Sequence, residues 1–259
     1  MKTTNNNAAL SQSRHHRGMA SGLSVSRFRA ITLVELLVVI AIIGTLIGLL
    51  IPAIRAARAS SKNVACKNNL RQIGIALEGH ADNQEFYPAD GDNGYGICVF
   101  LLPYVEQQAL YGRLKPTEME RSANMAKAHL GGASLATFLC PTMESQKQTI
   151  LRLGRSSYLG TRDMFPWKLP QGEIRDSKSH TIAIGETLAE QAWVLPGTAE
   201  SVPPGNDGAF GSRHAGGANF VFCDASVHFV SEDIDPKTFV ELCTINGGES
   251  VIGMVGLTD

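Results

Sequence analysis

The sequence predicts an α+β protein. A long N-terminal helix, half membrane span and half spine, packs on an antiparallel β-sheet head. Three observations carry that expectation. Residues 31–51, ITLVELLVVIAIIGTLIGLLI, form an apolar run whose one charge is Glu35. Three-and-four spacing then continues past Pro52 to about residue 80. From residue 155 onward, short β-rich runs alternate with Gly- and Pro-rich turns.

The first 30 residues are basic and polar. They hold Lys2, Arg14, Arg17, Arg27 and Arg29 and no acid, which leaves 18 Lys/Arg against 24 Asp/Glu for the rest of the chain. A basic head before an apolar run is the pattern of membrane targeting. The mildly acidic remainder argues against a general nucleic-acid binder, which needs a basic face for phosphate. Residues 1–26 have no helical or strand periodicity, so disorder is expected there. A start at Met19 would leave the short leader MASGLSVSRFRA.

The apolar run has the length of a membrane-spanning helix. A buried core helix would show a polar face, and a secretory signal would have a shorter apolar core with its small residues after it. The flank 52–71 carries five Lys/Arg, equal to the five upstream, so charge does not set the orientation. Glu35 is the anomaly, because a carboxylate inside a span costs about 3 kcal/mol unless it is paired, neutralised or kept at the interface. Gly44 and Gly48 are spaced for close helix approach. Pro52 is expected to kink or locally melt the helix. Beyond it, Ile54, Ala57, Ser61, Val64 and Asn68, then Leu70, Ile73, Leu77 and His80, form the face that packs on the head, and Gly79 with the run HADNQ ends the helix.

In the head, ICVFLLPYVEQQALYGRL reads as a short buried segment followed by a helix, and TEMERSANMAKAHL as another helix. SSYLGTRD, HTIAIGET and AWVLP read as strands. ANFVFC and SVHFV, separated by Asp224-Ala225, read as a hairpin. The five cysteines (Cys66, Cys98, Cys140, Cys223, Cys243) contain no CxxC pair, which argues against zinc-ribbon and thioredoxin-type sites. Outside the cytoplasm they allow one or two disulfides, with connectivity open; otherwise they serve as small buried hydrophobes.

RFRA followed by ITLVELLVVIAIIG resembles the processing motif of type IV pilins and type II secretion pseudopilins. The resemblance implies cleavage between Ala30 and Ile31 by a membrane prepilin peptidase, with methylation of the new N-terminus. It places Glu35 at the fifth mature position and Pro52 at the twenty-second, where that family carries Glu and Pro. Ala30 stands where Gly is usual, and Ile31 where Phe is. Glu35 is then expected to pair with the α-amino group of a neighbouring subunit.

The rest of the chain is similar to a family of pilin-like envelope proteins known as domain of unknown function 1559. CKNNLRQIGIAL, LLPYVEQQALY, FLCPT, SYLG, HTIAIGET and GGES carry that likeness, together with His214, nine residues, then Asp224. That family has Asp-Gly where this chain has Asp224-Ala225. His214 and Asp224 are expected to bond turn backbone. The weaker alternative assembles metal or ligand contacts from His214, Asp224, His228, Glu186 and Asp207. No HExxH, GxSxG, phosphate-loop or dinucleotide motif is present.

These readings imply a leader over 1–30, a spanning and spine helix over 31–80 and a type IV pilin-like α+β head over 81–259. They imply a non-enzymatic pseudopilin-like subunit without a cofactor or resident metal. Its partners are prepilin peptidase, the inner membrane and other pilin-like subunits, and not nucleic acid. The N-terminus is expected in the cytoplasm and the head outside it. The competing readings are a membrane-tethered domain whose head binds a ligand or metal, and, third, an envelope enzyme.

Overall fold

The computed structural model describes residues 32–117, 130–143, 152–205, 209–248 and 257–258. The leader, Ala30, Ile31 and Asp207 lie outside the described residues, as does TEMERSANMAKAHL apart from Thr117 and Leu130.

One helix, α1, runs from Leu33 to Gln84. It is long and apolar enough to cross a membrane, which makes it a candidate membrane anchor. The chain divides into two compact units, one ending at Ile51 and the other beginning at Pro52. Through Ile51 every described residue of α1 is exposed, bulky aliphatics included. The helix is unbroken across Pro52, so the expected local melting does not occur. Proline removes only the amide that would have bonded the Gly48 carbonyl.

Beyond Pro52 the buried stripe is Cys66, Leu70, Ile73, Leu77 and Ala81, with His80 beside it. The earlier half of the expected stripe is exposed, including Ile54 and Val64. The step from Asn68 to Leu70 is two residues, about 200° around a helix, so the two halves of that pattern cannot share a face. The helix also continues four residues past His80. His80 and Ala81 are held by the core, and the turn closes only at Glu85, whose φ is 67°.

The head carries a six-stranded sheet in the order β3-β1-β2-β4-β5-β6. The strands are β1 Arg155–Thr161, β2 Ile182–Ala192, β3 Thr198–Ala199, β4 Gly217–Phe222, β5 Val227–Ser231 and β6 Leu257–Thr258. All neighbours are antiparallel except the short β1–β3 pair, so the sheet is mixed. AWVLP is not a strand of its own: β2 extends to Ala192 and the chain then turns.

β1 and β4 are buried along their whole length, because both faces of the sheet are covered. On one face, Val221 and Cys223 join the core formed with Cys66, Leu70, Ile73 and Leu77 of α1. The short helices α2 (Ile97–Leu101) and α3 (Gln108–Leu114) complete that side. On the other face, Phe220 and Phe222 pack with Phe210 and with Phe239 of α4 (Pro236–Cys243). The Phe210, Phe220 and Phe239 rings meet edge to face at 5.2–6.2 Å. Where the hairpin tip meets α1, Gly74 allows close approach: a Cβ there would lie 2.5 Å from Val221 Cγ2.

Candidate functional site

The hairpin register creates the site. Tyr158 of β1 pairs with Glu186 of β2, and Gly185 pairs with Phe220 of β4, which sets Asn219 beside Glu186. These side chains form a row across three strands on the face that meets α1. Opposite them α1 presents Asn63 and Cys66. Cys66 is joined by a disulfide to Cys140, 74 residues away in sequence. Cys140 lies in the segment that contains the turn Pro141–Met143.

Glu186 is 2% exposed at its side chain. Its Oε2 accepts the Asn219 backbone amide at 2.8 Å and Asn219 Nδ2 at 2.9 Å. Asn219 Nδ2 also donates to Asn63 Oδ1 at 2.8 Å, which ties the pair to α1. Glu186 Oε1 makes no hydrogen bond among the described residues. It faces His214 Nε2 at 3.3 Å, and the His214 side chain is 7% exposed. The same Nε2 lies 3.6 Å from Cys140 Sγ. A disulfide sulfur carries no proton, so any hydrogen bond to Cys140 Sγ is donated by the His214 ring or by the Thr142 hydroxyl, which lies 3.1 Å away. Tyr158 donates its hydroxyl to the Cys66 carbonyl at 3.4 Å. Burial and the nearby Glu186 push its phenol well above the ordinary value.

His214 is set by the turn before β4. Its amide donates to Ser212 Oγ, and Ser212 Oγ donates to the Gly217 carbonyl. Gly216, at φ 82°, lets the chain enter the strand. Outside this cluster a groove of about 820 Å³ opens past His214. Arg55, Arg58, Lys62 and Lys67 line it from α1, and Arg213 from the opposite wall.

The expected ligand residues separate. His214 and Glu186 come together, joined by two cysteines. Asp224 is exposed at the far end of β4, where its Oδ1 accepts the Ser226 amide and shapes the turn. His228 sits on β5 opposite Phe220, edge-on to the Phe222 ring. Sequence reasoning missed Asn63, Asn219 and Tyr158. Asn219 was visible only as a polar residue within the apolar run ANFVFC, where an unsatisfied amide would be costly.

Glu35 occupies the first turn of α1. Its Oε2 accepts the Thr32 amide at 2.9 Å and the Thr32 hydroxyl at 3.0 Å, while the Glu35 amide donates to Thr32 Oγ1. This is a capping box, legible as Thr-x-x-Glu at the head of the apolar run.

A family model described as a protein of unknown function (DUF1559) matches residues 55–175 and 190–237, well over half of the chain. Cys66, Cys140, His214 and Asn219 fall within the matched segments, and Glu186 lies between them. No curated protein and no solved structure matches the chain.

Proposed function

The chain belongs to the DUF1559 family, and from that premise we propose that it is a pseudopilin-like structural subunit of the cell envelope. In this reading prepilin peptidase cuts between Ala30 and Ile31, and the new N-terminus is methylated. The apolar half of α1 holds the subunit in the inner membrane, with the head outside the cytoplasm. Subunits associate through that helix into a type II secretion or type IV pilus-like complex, and the protein is not an enzyme.

The observation that carries this reading is α1 itself. It is 52 residues long, exposed and apolar up to Ile51, with Glu35 in its first turn and Pro52 inside. A lone soluble helix would not leave that surface uncovered, and neighbouring helices or lipid would cover it. The Cys66–Cys140 disulfide fits a head in an oxidising compartment.

Glu35 supplies the experiment. Gln preserves a capping box but carries no charge. If Glu35 pairs with a neighbour's amine, Glu35→Gln and Glu35→Ala both insert in the membrane and both fail to enter the complex. If Glu35 only caps α1, Glu35→Gln assembles normally, which would overturn its role in assembly. Crosslinking of membrane-inserted chains distinguishes the two. The basic groove beside His214 favours a second reading, in which the helix is only a tether and the head binds a ligand.

A further inference from the structure

We propose that Cys66, Cys140, His214 and Glu186 form a redox-gated site for zinc, closed as a disulfide and opened to the metal by reduction. The four donor atoms all lie within 4.8 Å of one another. Tetrahedral zinc holds its thiolate, imidazole and carboxylate ligands at about 2.0–2.3 Å, so ligand atoms stand about 3.3–3.8 Å apart. Nε2 to Cys140 Sγ at 3.6 Å and Nε2 to Glu186 Oε1 at 3.3 Å already have that spacing. The two sulfurs must part, and the remaining donor pairs lie within 4.8 Å, so they reach zinc spacing by small side-chain adjustments.

The arrangement is that of a ligand set and not of a catalytic relay. In a nucleophile–base–acid relay the imidazole uses one nitrogen toward the nucleophile and the other toward the carboxylate. Here the same nitrogen faces both the sulfur and the carboxylate. Four segments of the chain therefore bring donor atoms within 4.8 Å of one another. Glu186 Oε1 is the independent sign that something belongs there. It is a buried carboxylate oxygen without a hydrogen bond among the described residues, its nearest ionisable neighbour being the His214 ring nitrogen at 3.3 Å, while its partner oxygen is held by two. Leaving such an atom unsatisfied is costly, and a cation satisfies it. The surroundings also suit a metal centre. Asn219 and Asn63 fix the carboxylate, and Ser212 fixes the backbone of His214.

The chemistry balances with a dithiol reductant. Two electrons and two protons from the dithiol break the Cys66–Cys140 bond, and the reductant leaves as its own disulfide. As zinc binds, the two new thiols release their protons to water and two Zn–S bonds form. Neutral Nε2 and Glu186 Oε1 complete the coordination. Two thiolates, one carboxylate and Zn²⁺ leave one net negative charge, which Arg213 and Lys67 at the groove oppose. The site does not depend on whether α1 polymerises, so assembly and metal binding fail independently.

The test uses the full-length chain in detergent, reduced with a dithiol, freed of reductant without air and titrated with Co²⁺ as a spectroscopic probe. The expected result is thiolate-to-cobalt charge-transfer absorption and intense tetrahedral bands at one equivalent, displaced by Zn²⁺. The unreduced chain gives neither. His214→Ala and Glu186→Gln, each checked by the melting of its oxidised form, weaken binding at least ~10-fold, on the scale of losing a metal-site contact. A measurement without variants stands beside these. Zinc at about 100 times its Kd raises the Tm of the reduced parent by about 5–10 °C and leaves the oxidised chain unchanged. Absence of charge transfer, the same signal in the unreduced chain, unchanged affinity in both variants, or no gain in Tm would each overturn the proposal.

Discussion

Ala225 is the residue at which the local rules and the fold disagree. It adopts φ 63° at the tip of the β4–β5 hairpin, a conformation that costs an L-residue about 1–2 kcal/mol. The turn keeps it there: Ala225 donates its amide to the Phe222 carbonyl, and Asp224 clamps the Ser226 amide. Ala225→Gly should stabilise the protein by about 0.5–1 kcal/mol after the entropy of glycine is deducted. That corresponds to about 2 °C in Tm for a domain of this size, measurable by thermal denaturation. His80 sets a pH limit. Burial is the main cause that lowers its pKa, with Lys168 acting the same way, while its contact to the Phe86 carbonyl opposes both. The unfolded chain therefore binds a proton that the native state refuses. The stability this residue contributes is intact above its unfolded value of about 6.5 and falls as the pH drops from there toward the lowered native value. In urea titrations between pH 7 and pH 5, His80→Phe should lose less stability than the parent. An equal loss would remove His80 from the account.

At the scale of elements, α1 and the disulfide do most to define the molecule. Cys66–Cys140 closes a loop of 74 residues, worth about 4 kcal/mol in the chain-entropy description. Reduction in the absence of metal should lower the unfolding free energy by about that amount, as read from urea midpoints before and after a dithiol. The helix, the strands β1 and β2 and the β4–β5 hairpin were legible because each carries its own periodicity or turn residues. The α1 face was legible only from Leu70 on, since a residue spacing cannot say where along a helix the head begins to touch it. The site was half legible. His214 and Glu186 announce themselves by residue type, and Asp224 was readable as a turn residue. Their grouping with Cys66 and Cys140 was not legible, because it depends on the β1–β2–β4 register and on contacts across 74 residues or more. Asn219 and Asn63, 156 residues apart, show the same limit.

For the whole molecule, the structure describes a head with both sheet faces covered and a helix whose described residues through Ile51 are exposed. Membership of DUF1559 does not by itself assign a role to either part. The central claim is that the apolar helix becomes an assembly element through a cut before it, which would place Glu35 fifth and Pro52 twenty-second in the mature chain. Intact-mass and peptide mass spectrometry of the membrane-extracted protein tests that claim most directly. The account predicts a mature N-terminus at Ile31 carrying a methyl group on its α-amine. A chain that keeps Met1 or Met19, or one cut after the apolar run, would contradict it.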